Sequence, residues 1–263
     1  MRTWMNARLH VIYIIYPIGF NANSRNHKKR RMSINYRSKN QAVYETIRDA
    51  IVSGEFEPGQ RLVIDELAPK LGVSHSPIRE CLRQLEADGF VMIRPYSGVT
   101  VTDIRPEFIM EIFALLESLE MISSRRACQR ATEQQIEELE QFITGMAAYT
   151  GQPEVWSEKN IALHMLICDI AETQLTGHMI NRTLYHWDRL RRYYLEDVSA
   201  QRIEQAHQEH LEILAAIRER DEAQVVGVIR HHNERALKAY LEHINETQQI
   251  DLIIEVVEPE SKS

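Results

Sequence analysis

The stretch Leu71-Gly-Val-Ser-His-Ser-Pro-Ile-Arg-Glu-Cys-Leu82 decides the reading of this chain. Gly72 is a helix stop, and Ser74 is a cap for a new helix from about His75 to Ala87. Pro77 falls in the first turn of that helix, where a missing N–H costs little, and Asp88-Gly89 ends it. Upstream, a short helix is predicted across Asp65 to Leu71. Pro69 removes a backbone bond late in that segment, so an irregular helix, or one beginning later, is expected there. Further back, Pro58-Gly59 makes a turn and Gly54 stops a helix whose apolar face is Val43, Ile47, Ala50 and Ile51, with Ser38 or Asn40 as its cap. Downstream, Phe90–Ile93 and Val99–Val101 read as two short strands joined by Pro95-Tyr96-Ser97-Gly98. Three helices and a hairpin within about 65 residues are the outline of a winged helix-turn-helix.

Beyond Ile104 to Pro106 the pattern is helical. A long helix opens at Pro106 and contains Ile109, Ile112, Phe113, Leu116, Leu119 and Ile122. Thr132 caps the next, with Ile136, Leu139 and Ile143 inside. Further helices are predicted over about 154–172, 176–197, 201–219 and 221–246, the last capped by Asp221. The fold class is therefore mainly α: an N-terminal winged helix-turn-helix followed by an antiparallel all-helical bundle of about six helices. The expected organisation is a basic extension over 1–32, a winged helix over 33–104, a bundle over 105–247 and a tail over 248–263.

Composition excludes several classes. The 263 residues are 44% hydrophobic and 26% charged, as in an ordinary globular protein. No apolar run reaches the roughly 18 residues of a membrane span, so no membrane partner is expected. Three cysteines (Cys81, Cys128, Cys168) are too few for a disulfide framework, read as small buried apolar residues and fit a cytoplasmic location. The net charge of −7 is unevenly spread: +7 over residues 1–31, −2 over 33–104 and −12 over 105–263. An acidic C-terminal part cannot lie along phosphates, so any nucleic-acid contact falls to the N-terminal part. Residues 1–31 lack a sustained period and end in Lys28-Lys-Arg-Arg31, just before Met32. A secretory signal would need a cleavage site, and none is convincing; three readings stay open: translation that truly begins at Met32, disorder with no role, and a basic arm touching DNA.

The glycine at 54, the Pro58-Gly59 turn, Glu66-Leu-Ala68, the stretch from Leu71 to Leu82, and the glycines at 89 and 98 together resemble the GntR family of regulators, over about residues 36–103. The resemblance implies double-stranded DNA as partner, read by the N-terminal end of the helix opened by Ser74. Ser74, His75, Ser76 and Arg79 lie at that end. The serines and the free N–H groups of the first turn suit phosphate. Arg79 suits a guanine edge or a phosphate, the alternative being an ion pair with Asp65 or Glu80. Arg83 is placed beside a phosphate; Arg94, Tyr96 and Ser97 at the wing face the backbone, and Gly98 allows the tight turn. His75 departs from the family's usual arginine and cannot fork onto guanine, so base preference there should differ. A homodimer is expected, because one recognition helix reads too little sequence.

Eight of the eleven histidines lie after residue 160. Asn160 and His164 share a helix face; Glu209-His210 and His232 follow on later helices. This arrangement resembles the FadR-like subfamily, with its helical ligand-binding (FCD) domain, over about residues 105–245. It implies a divalent metal held by Asn160, His164, His210 and His232, with zinc or nickel suited to three imidazoles, and a small-molecule effector, a small organic acid being the family default. Asn160 replaces the family's carboxylate ligand and Leu116 an often-present arginine. A site without the carboxylate should hold its ion less tightly and welcome an anion. His207 and His231 read as neighbours outside the site; His178, His186 and His243 are assigned to surfaces. A metal-dependent hydrolase is disfavoured: no glutamate sits at metalloprotease spacing, and no nucleophile motif or phosphate loop is present. The expectation is thus a ligand-responsive regulator and not an enzyme, the alternative being a DNA-binding dimer whose bundle only dimerises and binds no metal.

Overall fold

Punctuation around Ser74 translates directly into elements in the computed structural model, which describes residues 34–194 and 196–248. The readings made for residues 1–31 and for the C-terminal tail lie outside the described residues. Helix α1 spans Ile34–Val52, strand β1 Arg61–Leu62, α2 Ile64–Leu71, α3 His75–Ala87, β2 Val91–Arg94 and β3 Gly98–Val101. The bundle follows as α4 (Pro106–Arg130), α5 (Glu133–Met146), a 3-10 turn (Ala147–Tyr149), α6 (Pro153–Ile170), α7 (Gln174–Tyr194), α8 (Glu196–Arg218) and α9 (Glu222–Gln248).

Helix α3 begins and ends where the sequence places it. Its face of Pro77, Ile78, Cys81, Leu82 and Leu85 is buried against Ile47, Ile51 and Phe90 in the core of the winged helix. Ile78 and Leu85 are fully buried, so truncating either to alanine costs about 2–5 kcal/mol. The sheet is larger than the expected hairpin. Its order is β1-β3-β2, with Arg61 opposite Thr100 and Arg94 opposite Gly98; a two-residue strand carries no periodicity of its own and exists only through its partner. Helix α2 also departs from expectation: it starts at Ile64 and continues through Pro69. Proline near the end of so short a helix forfeits one backbone bond. Gly72 then closes the helix in the left-handed region (φ 63°), with Val73 N–H bonding to the Ala68 carbonyl at 3.1 Å. Neither Ser38 nor Asn40 caps α1: the chain is already helical at Ile34, so both lie inside the helix.

In the bundle, the Thr132 capping box and the bond from Gln224 N–H to Asp221 Oδ1 (2.8 Å) start α5 and α9 as read from sequence. Ile109, Ile112, Phe113, Leu116 and Leu119 of α4 are buried, but Ile122 is 52% exposed. Successive three-residue steps lag the 3.6-residue period by about 60° each, which carries Ile122 off the face. Helix α4 packs along α7 and α9, and α7 also packs against α1, so it lies between the bundle and the winged helix. His186 on α7 corrects the surface assignment: it is 8% exposed and stacks on Phe90. His178 and His231 are exposed, while His243 is half-buried. No helix among the described residues is long and apolar enough to cross a membrane.

Candidate functional site

The tip of α3 presents its polar residues outward. Ser74 holds the extended N-cap backbone (φ −76°, ψ 169°) without a side-chain capping bond. Ser74, His75, Ser76, Arg79 and Arg83 are all exposed, while the opposite side of the helix is buried. Asp65 lies 3.4 Å from His75, so the carboxylate weighed as a partner for Arg79 sits on the histidine instead. Among the described residues neither Arg79 nor Arg83 has a carboxylate at ion-pair distance, which leaves both guanidinium groups available to an external anion. At the wing, Arg94, Tyr96 and Ser97 are exposed and Gly98 is half-buried. Tyr96 and Gly98 take positive φ (65° and 86°). A Cβ on Gly98 would lie 3.2 Å from the Arg61 guanidinium, so the glycine serves twice, in the turn and as a seat for Arg61. Sequence reasoning passed over Arg61, because only pairing of β1 with β3 brings it to the wing.

A second constellation lies inside the bundle. Helices α6, α8 and α9 bring His164, His210 and His232 together with ligand nitrogens within 4.8 Å of one another. All three are buried, and His210 is wholly so, with neither ring nitrogen hydrogen-bonded among the described residues. The other two rings are braced. His164 Nδ1 lies 3.1 Å from Glu120 Oε1, and His232 Nδ1 lies 2.7 Å from Glu209 Oε2. A carboxylate accepts from each Nδ1–H, and in the neutral ring that tautomer leaves Nε2 with its lone pair. Both glutamates are themselves fixed: Asn233 donates to Glu120 at 2.8 Å, and Arg202 and Arg235 donate to Glu209 at 3.0 and 3.2 Å. Burial opposes ionisation of Glu209, but the hydrogen bond from His232 and the nearby arginines hold its carboxyl below the usual range. Burial pushes His164 down against the pull of Glu120, and pushes His210 well down with help from His232 and His164. Neutral imidazoles are the ligating form.

Asn160, one turn before His164, lines the same cavity, and its buried Oδ1 has no hydrogen-bond partner. Trp156 stacks parallel to His210 at 5.7 Å, and its buried Nε1 also lacks a partner. The cavity has a volume of about 40 Å³ and is further lined by Leu116, Trp187 and Arg202. That is room for about three water-sized groups. Orphaned acceptors (His210, Asn160) beside an orphaned donor (Trp156) make a site that fits a cation with a small anion on it. His207 does not join the cluster and His231 points outward, 67% exposed at its side chain. The bracing Glu120 and Glu209, together with Trp156 and Arg202, had no signal in spacing alone.

Comparison with known proteins agrees with both parts. Residues 39–101 match the family model described as bacterial regulatory proteins, gntR family, and residues 111–235 match the FCD domain. The HTH-type transcriptional repressor RspR of Escherichia coli K12 is 30% identical over 210 residues, covering 79% of this chain and 88% of that protein. The HTH-type transcriptional regulator YdhC of Bacillus subtilis is 27% identical over 209 residues, covering 77% and 91%. Among solved structures, McbR/YncC of E. coli superposes with a TM-score of 0.66 at 19% identity, over 79% of this chain and 99% of that one. A GntR regulator from Rhodococcus gives 0.63 at 19% identity, over 78% and 98%. These two likenesses concern the fold.

Proposed function

Since the chain belongs to the GntR family of bacterial regulatory proteins, with an FCD domain after its winged helix, we propose that a divalent ion and a small anion held in the bundle set its affinity for operator DNA. The chain is a DNA-binding transcription regulator and not an enzyme. In this reading residues 33–104 contact DNA through Ser74, His75, Ser76, Arg79, Arg83, Arg94, Ser97 and Gly98, and residues 105–247 form the ligand-binding and dimerisation domain. His164, His210, His232 and Asn160 would hold zinc or nickel, which would offer a Lewis-acidic position to an anionic oxygen of a small organic acid. Two copies would meet a twofold operator. Three buried free thiols suit a reducing cytoplasm.

The observation that carries the proposal is the wholly buried, unpartnered His210 between two imidazoles that carboxylates hold with their lone pairs free. A carboxylate on the far nitrogen of a metal-binding histidine is a recurrent device for fixing its tautomer and orientation. Elemental analysis of purified protein is expected to find about one divalent ion per chain, lost in His164→Ala and in His210→Ala. Metal-free protein that takes up no ion on add-back refutes the proposal and leaves the bundle as a dimerisation module.

A further inference from the structure

Helix α7 has two working faces. At about 100° per residue, Arg182, His186, Arg189 and Tyr193 fall on one side, and Ile180, Leu184 and Trp187 on the other. The first side grips the winged helix. Arg182 donates to the Ala87 carbonyl at 2.7 Å and pairs with Asp88 at 2.9 Å, where α3 ends. His186 bonds the Asp88 carbonyl at 2.8 Å and lies flat on Phe90, with ring centroids 4.2 Å apart. Arg189, 1% exposed, donates to the Thr102 hydroxyl at 3.0 Å and also to the Thr102 carbonyl, just after β3. Beside them the Tyr185 ring carries the Arg48 guanidinium of α1 at 3.9 Å. On the second side, Leu184 and Trp187 line the histidine cavity. One helix diameter, about 10 Å, separates the two faces.

We propose that α7 couples occupancy of the histidine cavity to the orientation of the winged helix, with Arg182, His186 and Arg189 as the clamp that carries its movement to α3. The proposal rests on the reading that the cavity takes a ligand. A group held in about 40 Å³ beside Leu184 and Trp187 packs against α7 with little spare room, so its arrival or departure is passed to the helix. The clamp then either follows as a unit or breaks. A guanidinium as buried as Arg189 is tolerated only while its hydrogen bonds are made, so intermediate geometries are costly and the contact has two discrete states. His186 adds no charge to the grip: burial pushes it down to about 4, and it acts through one hydrogen bond and one stacked ring. Linkage makes the coupling reciprocal, so DNA on α3 alters affinity in the cavity by the same factor.

A double-mutant cycle on the full chain tests this without any ligand. The probe is a duplex recovered from random-sequence DNA by the wild-type protein, and the readout is its Kd by fluorescence anisotropy. Trp187→Phe perturbs the cavity face; Arg189→Gln opens the clamp, with Arg182→Gln as a milder second opening should the first melt early. Trp187→Phe is expected to change Kd at least fivefold with the clamp intact and less than twofold with it opened. Equal effects in both backgrounds, or none in either, overturn the proposal. Calorimetric titration with zinc answers separately for the ligand: a coupled cycle in a chain that binds no zinc keeps the clamp and loses the metal, and an additive cycle in a zinc-binding chain does the reverse.

Discussion

His210→Leu should stabilise the metal-free protein and destabilise it relative to wild type once zinc is added. The side chain is wholly buried and neither nitrogen has a partner. A buried polar group left unsatisfied costs about 1–3 kcal/mol. Leucine has similar bulk and no such group, so the metal-free variant should gain about that amount. For a domain of this size each kcal/mol moves Tm by roughly 2–4 °C, which predicts a rise of about 2–12 °C in chelator. Zinc at a thousand times its Kd adds about 4.1 kcal/mol to a protein that binds it only when folded, or about 8–16 °C for wild type, and nothing to the variant. The two melting curves should therefore exchange order between chelator and zinc, as read by circular dichroism. A variant that melts below wild type in chelator would mean that the His210 nitrogens are satisfied within the protein. Equal zinc-induced shifts in both would place the ion elsewhere.

Other outcomes follow from the same geometry. Arg79→Ala should weaken specific operator binding by about 1–3 kcal/mol, and Arg83→Ala should weaken all duplexes alike and lower the salt slope by about one; gel-shift titration across salt concentrations separates them. Gly98→Ala forces a side chain onto φ 86° and toward Arg61. It should cost the wing about 1 kcal/mol or more, seen as faster hydrogen exchange in β2 and β3 with weaker DNA binding. His186 titrates near 4 when folded and near 6.5 when unfolded, burial being the main cause. Between those values the unfolded chain holds the extra proton, so stability present above pH 6.5 falls as pH drops towards 4, by at most about 3 kcal/mol. His186→Phe should flatten that part of the pH–stability curve, and an unchanged slope would contradict the burial argument.

Local chemistry was legible and convergence was not. Helix α3 could be bounded from sequence because Gly72, Ser74 and Asp88-Gly89 act on their own neighbours, and the box at Thr132 works in the same way. Strand β1 could not, since Arg61 and Leu62 become a strand only opposite Thr100 and Val99. His186 looks like a surface histidine until α7 docks on Asp88 and Phe90, almost a hundred residues away in sequence. Periodicity places His164, His210 and His232 on separate helices, but their approach depends on how α6, α8 and α9 cross. Resemblance alone pointed there, and it gave neither Glu120 nor Glu209 a bracing role.

Those two glutamates change what Asn160 means. A ring of three neutral imidazoles and an amide carries no charge, which from sequence alone argues for a loosely held, strongly positive ion. The structure places two carboxylates, each 2% exposed, one hydrogen bond further out, on His164 and His232. Negative charge is thus moved from the ligand position to the far side of the imidazoles, where it raises their basicity and still acts on the ion at short range. Glu209 shares its charge with Arg202 and Arg235, so the compensation is partial. A divalent ion there would keep some positive charge, and it would do so beside Trp156, whose indole N–H has no acceptor among the described residues. Both features ask for the same thing: an anionic oxygen small enough for the cavity. In the proposed mechanism the amide at 160 therefore leaves more positive charge on the ion, and a stronger pull on an anionic effector, than a carboxylate there would.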